Sequence, residues 1–92
     1  MDETYRFDER SYDTLAATGV GWHTALEALR ARPRLRQHIG AVLRIAAQVS
    51  DGRWIAVALI EEDDDEYLVV SARELDTAEQ QAVQLLIEGG MG

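Results

Sequence analysis

The sequence predicts an α+β domain: a short N-terminal strand, two helices, a three-stranded antiparallel meander and a C-terminal helix. Three observations predict it. Before Pro33, apolar residues recur at helical spacing; from Val42 to Leu75 they alternate or run together in strand-length pieces; after Asp76 a capped amphipathic segment follows. Ninety-two residues are enough for one hydrophobic core and too few for two, so a single domain spanning 1–92 is expected.

Tyr5-Arg6-Phe7 alternates aromatic and polar side chains and fits an edge strand. Asp8 is the natural N-cap of the first helix, with Glu9 in the first turn where the helix dipole favours an acid. That helix is expected to run to Ala17 or Thr18, and Gly19 supplies the left-handed stop. A second helix begins near Gly21. Trp22, Ala25, Leu26 and Leu29 form its apolar face, and Pro33 ends it because the residue before a proline is driven out of the helical region.

Residues 34–40 read as a connector with room for a helical turn. From Val42 to Val49, Leu43, Ile45, Ala47 and Val49 point to one side. Asp51-Gly52 marks a tight hairpin in which both residues accept positive φ. Arg53 to Ile60 is apolar after its first residue, as a central strand should be, and it is far too short to span a bilayer. Glu61 to Glu66 reads as a solvated acidic loop, and Tyr67 to Leu75 as the last strand. Asp76 and Glu79 have capping-box spacing for the final helix. Its expected buried face is Ala78, Ala82, Leu85 and Leu86, and its expected stop is Gly89-Gly90.

Charge is unevenly distributed. The net charge is −8, from 9 basic and 17 acidic residues, and every basic residue is Arg. Arg30, Arg32, Arg34, Arg36, Arg44 and Arg53 lie between Ala28 and Ile60 with Asp51 as the only acid; all other acids lie in the flanks. Nucleic acid is repelled at long range by such a chain, so any RNA contact falls to the Arg-rich stretch. The same stretch also suits an acidic protein segment, or a solvated connector. No cysteine is present, so disulfide and thiolate chemistry are excluded. The acidic opening residues do not resemble a secretion signal, and a cytoplasmic location is expected.

Several motifs follow one another at a telling spacing. Phe7-Asp8 comes first, then Leu15, Gly19-Val20, Trp22 and Ala25, then Asp51-Gly52-Arg53, then Val70-Ser71-Ala72-Arg73 and Glu79. Their order resembles the RelE-like superfamily of small toxin ribonucleases, and within it the BrnT-type toxins of bacterial toxin–antitoxin pairs. Ala17 and Thr18 stand where that family carries a Lys-His pair, and Glu61-Glu62 where a basic residue commonly follows the central strand.

The resemblance implies metal-independent RNA cleavage by attack of a 2′-hydroxyl on the adjacent phosphate, with no cofactor. Arg73 would neutralise the phosphoryl charge, Arg53 or Arg44 would assist, and His38 would carry a proton. Arg34 and Arg36 suit phosphate oxygens. Tyr67 and Ser71 share a face with Arg73 by strand alternation, as a groove floor would require. His23, on a helix, is the weaker of the two candidate histidines. The implied partner is an antitoxin, a small DNA-binding protein covering the sheet face. A sheet face with sparse charge also suits a homodimer. Against this stands a non-enzymatic reading, a protein-interaction module on the same scaffold. The acidic composition and the missing Lys-His pair favour it.

Overall fold

The structure, a computed structural model, describes residues 4–89. The elements are β1 (Thr4–Arg6), α1 (Glu9–Thr18), α2 (Trp22–Arg30), β2 (Leu35–Ile39), β3 (Val42–Gln48), β4 (Trp54–Asp63), β5 (Glu66–Glu74) and α3 (Thr77–Gly89). The expected α+β class holds, but the sheet has five strands in the order β1-β5-β4-β3-β2. β1 runs parallel to β5, and every other pairing is antiparallel.

α1 begins as its sequence dictates. The Asp8 carboxylate accepts from the Ser11 amide at 2.9 Å, and the Ser11 hydroxyl accepts from the Asp8 amide at 3.0 Å. These bonds satisfy donors that a helix start leaves unpaired. The same hydroxyl donates to the Val69 carbonyl of β5, which fixes the helix to the sheet. Gly19, at φ 77°, closes α1 with its amide on the Ala16 carbonyl. α2 is short and ends at Ala31, whose backbone is extended two residues before Pro33.

Four sequence expectations are corrected. The 34–40 connector is strand β2, paired with β3 from Leu35↔Ala46 to Ile39↔Val42. Leu35, Gln37 and Ile39 alternate with Arg36 and His38, and Gly40, at φ 63°, makes the two-residue turn into β3. The Asp51-Gly52 hairpin is a three-residue loop, with Val49 and Arg53 hydrogen-bonded across its base and positive φ at Gly52 alone. The acidic loop is mostly strand: β4 reaches Asp63, β5 starts at Glu66, and Asp64-Asp65 turns the chain, Asp65 taking a φ of 58°. An ion pair between Arg6 and Glu62 at 2.7 Å holds this extended end to β1.

The fourth correction concerns α3. Its buried residue is Val83, with Ile87 partly buried beside it; Ala78, Ala82, Leu85 and Leu86 are exposed. The helix is therefore turned by about one residue, some 100°, from the orientation its apolar pattern predicts. The Gly89 half of the expected stop is still helical, and Gly90 lies outside the described residues.

Two cores result. On one face of the sheet, Leu15, Ala25, Ala28 and Leu29 of the helix pair cover Leu43, Ile45, Val57, Leu59 and Val69. On the other, Val83 and Ile87 of α3 cover Ala46, Trp54, Ala56, Leu75 and Leu35. α3 covers only part of its face; Ile39 and Ile60 remain 59% and 40% exposed. Among the described residues no helix is long and apolar enough to cross a membrane.

Ser11 is 1% exposed and links the α1 cap to β5. Ser11→Ala should destabilise the fold by about 1–2 kcal/mol, because it removes the cap acceptor and leaves the Val69 carbonyl without its donor. Urea denaturation of the two proteins checks this; an unchanged midpoint would show that the linkage carries no stability.

Candidate functional site

The uncovered part of the α3-bearing face is a groove of about 430 Å³. Ile39 of β2, Val42 and Arg44 of β3, Ala56 and Ala58 of β4, and Ser71 and Arg73 of β5 line it, with Thr18 at the end of α1. Register accounts for this set. Val42 pairs with Ile60, Arg44 with Ala58, Ala58 with Ser71, and Ala56 with Arg73, so their side chains leave the sheet on one side. The floor is apolar and the charges stand on it and at its edge.

A β-bulge decides which β5 residues reach the groove. Ala58 pairs with Ser71 and Leu59 with Val69, which leaves Val70 without a partner. One extra residue reverses the side-chain alternation beyond it. Ser71 and Arg73 therefore face the groove, whereas Tyr67 and Val69 face the helix pair. The expectation that Tyr67, Ser71 and Arg73 share a face is corrected: Tyr67 is 4% exposed within the opposite core.

Arg73 is held. Its Nη1 donates to Glu79 Oε1 at 2.8 Å, and its Nη2 donates to Oε2 of the same carboxylate. Glu79 also accepts from the Asp76 amide at 3.1 Å, while the Asp76 carboxylate accepts from the Glu79 amide at 2.8 Å. This is the capping box that the sequence spacing predicted, and Arg73 is bound into it. The Arg73 hydrogen bond, then the Asp76 amide, lower the Glu79 carboxyl from its ordinary 4.5 to about 2; the Arg44 charge adds to the effect. Arg44 is partly buried and makes no hydrogen bond or ion pair among the described residues.

The other sequence candidates lie elsewhere. Arg36 Nη2 donates to the Tyr67 hydroxyl at 3.0 Å, and Arg34 Nη1 donates to the Tyr5 hydroxyl at 3.1 Å and to the Leu29 carbonyl. With the Tyr5 and Tyr67 rings 6.5 Å apart, these four make a separate cluster on the helix side of the sheet. Arg30 and Arg32 line a further surface depression with His23 and Glu27, so the arginine run is not one patch. His23 lies against the Trp22 ring, the centroids 3.5 Å apart. His38 is exposed on β2 and alternates with Ile39, which points it away from the groove. Arg53 belongs to the hairpin, where its Nε donates to Asp51 at 2.8 Å.

Of the named candidates the groove thus unites Arg73, Arg44 and Ser71. It adds Ile39, Val42 and Ala58 to its lining, and Glu79 as the partner of Arg73, none of which the sequence marked as site residues. Only Glu79 carried a signal, its capping spacing six residues beyond Arg73. Among the described residues no group of three or more His, Asp or Glu side chains is placed to hold a metal ion. Comparison with family models, with curated proteins and with solved structures returns no match.

The Glu79 shift sets a pH dependence. Its carboxyl is more acidic folded than unfolded, so its contribution to stability is complete above about 4.5 and disappears as pH falls towards about 2. Glu79→Gln should flatten the fall in melting temperature across that interval while lowering the melting temperature at neutral pH. Thermal melts at a series of pH values check it. Parallel curves for both proteins would show that the ion pair does not contribute.

Proposed function

We propose that this chain is a toxin-like protein on a RelE-like, BrnT-related scaffold, and that its groove-bearing sheet face docks a protein rather than cleaving RNA. The observation that carries this reading is the Glu79 carboxylate spread across both terminal nitrogens of Arg73. A guanidinium already bidentate to a carboxylate must give up that partner before it can serve a phosphoryl group. Proton transfer also needs a group within hydrogen-bond reach of the reacting atoms, and neither histidine lines the groove. The apolar floor and the net charge of −8 further favour a protein occupant over a polyanion.

One observation favours the nuclease reading instead. Arg44, Arg73 and Ser71 converge on a single groove, as a phosphate-handling site requires, and in that reading an RNA substrate displaces Glu79.

Expression of the wild type and of Arg73→Ala in a bacterial host separates the two. Docking predicts equal growth and intact total RNA in both cultures. Growth arrest with RNA fragmentation by the wild type, relieved by the substitution, would replace docking with cleavage.

A further inference from the structure

We propose that the groove-bearing face is a homodimer interface, in which α3 of each copy seats its outward apolar stripe in the groove of the other. This names the partner of the docking surface and rests on that reading. Two apolar surfaces on this side of the molecule stand bare. One is the sheet beyond α3, where Ile39 and Ile60 are 59% and 40% exposed. The other is α3 itself, whose residues Ala78, Ala82 and Leu85 recur at i, i+4 and i+7 and are all exposed, Leu85 by 69%. That stripe is the face a core-packing helix would bury, yet the helix buries Val83 and Ile87 instead.

The placement of the two surfaces makes them complementary. α3 lies over Ala46, Trp54 and Ala56 and leaves Val42, Ala58 and Ile60 uncovered on the same face. A two-fold axis between two such faces, parallel to α3, sets the helix of each copy over the bare half of the other. Leu85 is two residues, about 200°, around the helix from Val83 and so points away from its own sheet, towards the second copy. The product is a sheet, a pair of helices side by side, and a second sheet. Each copy contributes the same two patches, so the contact closes on itself and cannot propagate.

Charge fits the same arrangement. α3 contains Glu79 and Glu88 and no basic residue, with nothing in its last turn to offset the negative end of the helix dipole. In the groove the Arg73 charge is offset by Glu79 of the same copy, whereas Arg44 makes no ion pair among the described residues. The negative end of α3, with Glu88, therefore meets a groove that keeps the Arg44 guanidinium, even though the chain as a whole is acidic.

Sedimentation velocity of the full chain over the micromolar range should show a species of twice the 10.3 kDa chain mass. Leu85→Glu and Ile39→Arg, both at exposed positions, should each weaken dimerisation by roughly 100-fold while leaving the circular dichroism spectrum unchanged. Mixing the two variants should restore a dimer, because one contact then pairs the new Glu with the new Arg and the other is native. A wild type that remains monomeric, a dimer that persists in both variants, or a mixture that fails to associate overturns the proposal. Monomers in cultures with intact RNA would leave the docking reading standing, with a different protein as occupant.

Discussion

The fold depends on burying β4 on both sides at once. Trp54, Ile55, Ala56, Val57 and Leu59 are each at most 8% exposed, and their side chains divide between the two faces of the sheet. Apolar surface on both faces of one strand is stable only under two layers of helix. α1 and α2 therefore settle on one side and α3 on the other. α3 is a single helix, so it shelters the Trp54–Ala56 end and leaves the Ala58–Ile60 end open. The groove is what remains of an apolar strand face after its one helix has been placed.

The bulge at Val70 then distributes chemistry between the two faces. Without it, Tyr67 would look into the groove beside Ser71 and Arg73, and an aromatic ring would fill part of the floor. With it, Tyr67 joins Tyr5, Arg34 and Arg36 on the helix side, where its hydroxyl accepts from Arg36. Arg73 is brought instead to the start of α3, within reach of Glu79. One unpaired backbone residue separates two sets of side chains that are adjacent in sequence.

Features set by local chemistry were legible in the sequence. The Asp8 cap, Gly19, the Asp76–Glu79 pair and the apolar run of β4 each act through near neighbours, and each is found where those neighbours require. β2 was hidden because its helix-side residues are the polar Arg36 and His38, and only Leu35, Gln37 and Ile39 mark its alternation. Val69-Val70-Ser71 contains no glycine and nothing else that distinguishes a bulged strand from a regular one, so the division of the β5 side chains was not readable. The rotation of α3 was hidden for a different reason. Its apolar stripe competes with the anchoring of Leu75 under Trp54 and with the Arg73 clamp on Glu79, and these tertiary contacts decide which side faces the sheet.

The parallel seat of β1 on β5 bears on how the chain reaches this state. Thr4 pairs with Glu66 and donates its amide to the Asp65 carbonyl at 2.7 Å, so the first strand made is completed by the last. On the ribosome, α1 and α2 emerge with their apolar faces before any strand of their sheet exists. Zippering of the β2–β5 meander proceeds through neighbouring hairpins, but β1 and the α1 cap on Val69 must wait for β5. Leu15 and Leu29 of the nascent chain therefore stay without their sheet partners during that interval, and β1 and the α1 cap are secured only by the last strand made.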